Sequence, residues 1–275
     1  MSGPVIVGVD GSATSMAAVE AAAHEAGRLG VELRLAHAFE WPAAHVPPGV
    51  PPWDPAVAGT SGSANRALVE AERRAHGAAP GLRVTHTVLM GEPTSVLETE
   101  SRGASLTVVG SRPAGRSGGA RRGSVAARLA AGGGPPVLMV RGGPAPDGPV
   151  VLACDDGRAG RRAAEFAFAE AAARGTDLVV LTAGGTRNGQ PREGAGDTVS
   201  ELRGKYPDVS VRRPRIRGGA RRAVIAASTY AQLVVIGTHG RGRLLPAALP
   251  TRVSRAALRH AGCSVAVIPA EETNP

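Results

Sequence analysis

Two cysteines, one lysine and 3% aromatic residues are what this 275-residue chain has least of. Cys154 and Cys263 are too few for a disulfide framework, and their separation matches no zinc-binding spacing. The arginine-rich stretch at 212–222 has no interleaved aromatic to serve as a stacking platform for nucleic acid, Tyr206 being the nearest before it. No apolar run approaches the ~20 residues of a membrane-spanning helix. Met1-Ser2-Gly3-Pro4 leads straight into an apolar run, without the basic and hydrophobic regions of a secretory signal. The economical expectation is a cytoplasmic protein.

Catalytic signatures are missing as well. There is no Gly-x4-Gly-Lys-[Ser/Thr] loop and no Gly-x-Gly-x-x-Gly after the first strand-like run. His-Glu-x-x-His and His-x-Glu are absent too. With no base beside a nucleophile, the expectation is a binding protein and not an enzyme.

What the chain has in quantity is arginine, glycine and repetition. Net charge is +9 and the pI about 11.1. Lys205 is the single lysine among the 32 basic residues, leaving 31 arginines, a composition typical of GC-rich coding. Residues 1–145 carry 13 basic and 11 acidic side chains; residues 146–275 carry 19 and 12, so the excess lies in the second half. Arg212, Arg213, Arg215, Arg217, Arg221 and Arg222 concentrate it.

The two halves repeat one another. Gly3-Pro4-Val5-Ile6-Val7-Gly8-Val9-Asp10 returns 145 residues later as Gly148-Pro149-Val150-Val151-Leu152-Ala153-Cys154-Asp155, and Leu35–Ala38 returns as Val180–Ala183. Further along the offset is 127: Leu106–Gly110 returns as Leu233–Gly237, and Gly91 as Gly218. The 18-residue difference (145 minus 127) therefore lies between Ala38 and Gly91. That interval holds Trp41–Pro55 with its six prolines. Two homologous domains follow, 1–145 and 146–275, joined near Gly142-Gly143-Pro144-Ala145-Pro146, a linker of boundary composition.

Within the first half, β-branched runs at Pro4–Val9, Glu32–Phe39, Arg83–Leu89, Leu106–Val109 and Val137–Val140 alternate with helix-like stretches. The latter are Ser15–Leu29, Asn65–His76, Pro93–Ser101 and Ser124–Ala131. Continuous short apolar runs suit strands buried on both faces, and strand–helix alternation implies right-handed crossovers and a parallel sheet. The expected fold is α/β: two tandem Rossmann-like domains, each a five-stranded parallel sheet with helices on both faces.

Ligands of such sheets bind beyond the carboxyl ends of the strands. After the first strand stand Asp10-Gly11-Ser12 and Asp155-Asp156-Gly157. After the fourth stand Gly110-Ser111-Arg112-Pro113 and Gly237-Thr238-His239-Gly240-Arg241-Gly242, leading to helix starts at Gly123-Ser124 and Pro250-Thr251. Glycine loops and helix N-termini present free amides to anions. An aspartate after the first strand can accept from an adenine amino group or a ribose hydroxyl, or can cap the helix that follows. His239 reads as a loop residue at the mouth of such a site, and Arg241 and Arg243 as residues that meet phosphate or water. Cys154 and Cys263 read as small core fillers at strand ends.

These motifs resemble the universal stress protein family in its tandem-domain form, over essentially the whole chain and twice. The resemblance implies an adenine nucleotide alpha hydrolase-like fold and an ATP site, with or without Mg2+, built on Gly-x2-Gly-x9-Gly-[Ser/Thr] and an Asp after the first strand. Carried onto this sequence, the first half offers Asp10, Ala38, Gly110, Gly123 and Ser124. The second offers Asp155, Ala183, Gly237, Gly240 and Thr251. Pro113 stands at the second motif glycine of the first half, where it removes an amide donor and biases Arg112 toward extended backbone. Pro250 stands at the third in the second half, a milder change, because proline suits the first helical position. One lost charge-assisted phosphate bond is worth roughly 1.5–3 kcal/mol, which weakens binding without abolishing it. The resemblance further implies packing of the halves through their fifth strands, so that Val137–Val140 faces Val265–Ile268, and it allows a homodimer or a regulatory protein partner. The competing readings are an ATP-independent scaffold and a basic nucleic-acid-associated protein.

Overall fold

Runs such as Val5-Ile6-Val7 have no polar side, so they are stable only where both faces are covered, and all three of these side chains are fully buried. The computed structural model describes residues 3–39, 61–111, 125–132, 134–141, 147–154, 158–182, 195–214, 219–238 and 252–269. Contacts divide the chain into two compact units, Met1–Val125 and Ala126–Pro275.

The first unit runs β1 (Val5–Gly8), α1 (Ala13–Leu29), β2 (Leu33–Phe39), α2 (Ser61–Ala78), β3 (Val84–Met90), α3 (Pro93–Glu100) and β4 (Leu106–Gly110). Its strands are parallel in the order β3-β2-β1-β4. Val5 pairs with both Leu33 and Leu106, so the three strands start level. Helix α1 begins at Ser12, whose hydroxyl accepts from the Ser15 amide at 3.1 Å, and stops at Gly30 in the left-handed region, φ 66°. Its buried stripe, Met16, Val19, Ala22, Ala23 and Ala26, is mostly alanine, which lets the helix lie close to the sheet.

Helix α4 (Val125–Ala131) starts at the unit boundary. The second unit continues with β5 (Val137–Val140), β6 (Val150–Cys154), α5 (Arg158–Arg174), β7 (Leu178–Thr182), α6 (Ala195–Lys205), β8 (Val211–Arg212), α7 (Ala220–Ala227), β9 (Leu233–Thr238), α8 (Arg252–His260) and β10 (Ser264–Pro269). Strands β10-β9-β6-β7-β8 are parallel, which repeats the order of the first half. Strand β5 lies antiparallel to β10, pairing Val137 with Val267 and Met139 with Val265. The fifth strands thus face one another as the resemblance implies. Helices cover both faces of the sheets: in the second unit α5 packs with α6, and α7 with α8. Among the described residues no helix is long and apolar enough to cross a membrane.

The repeat extends to individual hydrogen bonds. Ser105 N donates to Pro4 O at 2.9 Å and Gln232 N to Pro149 O at 3.0 Å. The Ser105 hydroxyl donates to Gly3 O at 2.7 Å, and the Gln232 amide nitrogen Nε2 to Gly148 O at 2.7 Å. A Cβ on Gly3 would overlap the Gly103 carbonyl oxygen, and one on Gly148 would overlap that of Tyr230. Each pair obeys the offsets of 145 and 127, and glycine stands at both close approaches because nothing larger fits.

Candidate functional site at the carboxyl edge of the first sheet

After Gly8 the chain stays extended for one residue: Val9 N donates to Ala36 O at 2.9 Å, and His37 Nδ1 donates to Val9 O at 2.8 Å. It then turns. Gly11 takes φ 80°, a left-handed conformation that side chains resist. The Asp10 carboxylate accepts from Ser12 N at 2.9 Å, an Asx turn that pins the corner. Asp10 N donates to the Ser15 hydroxyl at 3.4 Å, and that hydroxyl donates to Ser12 O at 2.9 Å. Ser12 and not Asp10 is therefore the cap of α1, so the reading of Asp10 as a plain helix cap is corrected. The left-handed turn at Gly11 moves the helix start two residues on.

Asp10 is exposed, with its carboxylate beyond the end of β1. Partial burial pushes its pKa up, but bonds from the Ser12 hydroxyl and amide, the Ser15 hydroxyl and its own backbone amide outweigh this and hold it below the ordinary value. The group is an anion at neutral pH, with acceptor capacity facing outward.

Ala38 lies on β2, two residues beyond the Gly8–Ala36 pair and so level with Asp10. Gly110 ends β4, two residues beyond the Val7–Val108 pair. A Cβ on Gly110 would lie 2.5 Å from Thr14 O and 2.8 Å from Ser15 N, so the first turn of α1 rests against the end of β4. Asp10, Ala38 and Gly110 consequently share one edge of the sheet, with Ser15 against both Asp10 and Gly110. Gly123 and Ser124 fall outside the described residues.

In the second unit Gly237 is buried near the end of β9, paired with Ile268. Asp155, Ala183, Gly240 and Thr251 fall outside the described residues, as do Pro113, Pro250, His239, Arg241 and Arg243. Cys263 is buried just before β10, as expected of a core filler. Only the backbone of Cys154, at the end of β6, is described. Among the described residues no group of three His, Cys, Asp or Glu side chains could hold a metal ion.

Two residues of this edge, Ser15 and His37, are missing from the sequence-derived set, and Ser12 stands in it only as part of the Asp10-Gly11-Ser12 turn. The signal for the serines was their place in Asp-Gly-Ser-x-x-Ser. For His37 it was a lone imidazole in an otherwise apolar strand, where its ring ties the end of β2 to that of β1.

The comparisons agree with this architecture. The family model described as the universal stress protein family matches residues 1–141 and again 148–269. A universal stress protein of Mycolicibacterium smegmatis is 32% identical, the match covering 92% of this chain and 94% of that one. One from Mycobacterium tuberculosis is 30% identical over 86% of each chain. Among solved structures, a universal stress protein from Archaeoglobus fulgidus superposes with a TM-score of 0.72 over 98% of both chains, at 19% identity. With its duplicated α/β units and the family model matched in each, the chain belongs to the universal stress protein family.

Proposed function

We propose that this protein is a cytoplasmic stress-response regulator that binds adenine nucleotide, ATP with or without Mg2+, without turning it over. The observation that carries the reading is the geometry of the Asp10 corner. An ionised carboxylate that accepts from Ser12 N, on a backbone whose Asp10 amide donates to Ser15, stands at the carboxyl edge of a parallel sheet, beside the glycine that ends β4. Its remaining acceptor capacity suits an adenine amino group or ribose hydroxyls, and Ala38, a small residue level with it, leaves room for a flat ring. Gly110 leads into the loop whose amides, with Gly123 and Ser124, would take the phosphates. Asp155, Ala183, Gly237, Gly240 and Thr251 would do the same in the second half. Mg2+ would act as a counter-ion to the phosphates.

The test begins by denaturing protein purified from cells and assaying for released adenine nucleotide. Thermal shift with millimolar ATP-Mg then follows on the wild type and on Asp10→Ala and Gly237→Ala. A rise in Tm that Asp10→Ala removes places the nucleotide in the first half, and one that Gly237→Ala removes places it in the second. No released nucleotide and no shift would replace this reading by the ATP-independent scaffold.

A further inference from the structure

Residues 209–270 contain eleven arginines and no aspartate or glutamate. Within that stretch, α7 and α8 pack together, and a surface groove between them is lined by Arg221, Arg222, Ile225, Ala226, Thr229 and His260. Arg221 and Arg222 are exposed and, among the described residues, neither forms an ion pair. By contrast, Arg212 of the same unit is neutralised by Asp177 at 2.6 Å. Ile225 and Ala226 supply an aliphatic floor beneath the cationic rim.

The fold does not require these cations. Helix α3 occupies the equivalent place in the first repeat, and there the 127-residue offset aligns Leu97 with Val224 and Ser101 with Ser228, all four buried. Its exposed face has the opposite sign: Glu98 stands where Ile225 does and Ser95 where Arg222 does, while Thr94, in the place of Arg221, is buried. Two helices with the same inner face and opposite outer charge differ in what meets them from outside.

We infer that the α7–α8 groove of the second unit docks an acidic amphipathic segment of a partner protein. Its carboxylates meet Arg221, Arg222 and His260, and its apolar side chains rest on Ile225 and Ala226. The lack of local carboxylates leaves the rim uncompensated until such a partner arrives, which favours both affinity and rate of encounter. The aliphatic floor separates this partner from nucleic acid. Phosphate and ribose gain nothing from Ile225, and among the described residues no Phe, Tyr or Trp lines the groove to stack a base.

The experiment uses the full chain and a fluorescein-labelled peptide repeating Glu-Ala-Leu-Glu, read by fluorescence anisotropy at low and high salt. Wild type is expected to bind the peptide, and R221E/R222E to weaken it by about tenfold or more. Arg221→Gln with Arg222→Gln is expected to weaken it by a smaller factor, and Ile225→Ser by roughly threefold to tenfold with every charge retained. Circular dichroism and Tm check that the variants are folded. Three results overturn the inference: no peptide binding, peptide binding indifferent to both the arginines and Ile225, or preferential binding of oligothymidylate that depends on the arginines and not on Ile225.

Discussion

Gly110 stands directly against the Thr14 carbonyl: a Cβ there would lie 2.5 Å from that oxygen and 2.6 Å from its carbon. Both contacts are to backbone at the first turn of α1, which Ser12 caps, so neither partner can yield cheaply. Gly110→Ala is therefore expected to destabilise the first unit by about 1–3 kcal/mol, read as a lower urea midpoint at unchanged m-value. Gly77, in the last turn of α2, has nothing within 4 Å of its would-be Cβ. Gly77→Ala should be neutral or stabilise by about 0.5–1 kcal/mol. Equal effects of the two substitutions would refute the packing account.

Thr107, fully buried in β4, has a hydroxyl with no hydrogen-bond partner among the described residues. The repeat places Val234 at the equivalent point of β9, also fully buried. An unpartnered hydroxyl loses hydration and gains nothing in return, while valine fills nearly the same shape. Thr107→Val should raise stability by about 1 kcal/mol, measured by chemical denaturation. A loss of that size would mean that the hydroxyl has a bonding role.

Much of this arrangement was legible in the sequence because periodicity and duplication are local facts. The offsets of 145 and 127 align the pair Gly3 and Gly103 with the pair Gly148 and Tyr230, and within each pair the two residues meet in the structure. Val137–Val140 forms a strand over the span expected. The helical pattern in the sequence starts at Asn65 while α2 starts at Ser61, because Ser61-Gly62-Ser63 carries no apolar signal, although the buried stripe already begins at Ala64. What could not be read was tertiary in origin. Asp10 and Ser12 are both good caps, and the choice falls to Ser12 through the left-handed turn at Gly11. Gly110 reads as a loop glycine until α1 is seen lying against it.

Glu92 caps α3 with an unusual side chain for the role. Its carboxylate accepts from Ser95 N at 2.9 Å, the Ser95 hydroxyl at 3.0 Å and the Thr94 hydroxyl at 2.9 Å. Slight burial works against the charged form, but these bonds prevail and bring the pKa down to about 2 from an ordinary 4.5. A depressed carboxylate pKa gives stability that is fully present above the ordinary value and is lost as pH falls toward the folded one. Glu92→Ala should therefore cost about 1 kcal/mol at neutral pH. The gap from wild type should narrow as pH falls from 4.5 toward 2. Thermal denaturation of both proteins across that range checks it, and a gap independent of pH would disprove the ionic contribution.

Cys263 is 1% exposed, its thiol donating to Ser264 O at 3.4 Å. Burial pushes its pKa up to about 11, and the neighbouring Arg141 guanidinium offsets only part of that rise. Thiolate is the reactive form, so at pH 8 the native thiol should react with an aromatic disulfide reagent at least roughly a hundredfold more slowly than an unperturbed cysteine of pKa ~8.5. In a Cys154→Ser background, where Cys263 is the remaining thiol, labelling should be slow in buffer and rapid in concentrated urea. Because access requires opening around β10, the native rate should also fall whenever the second unit is stabilised. Prompt labelling of the folded protein would mean that the approach to β10 is open to solvent.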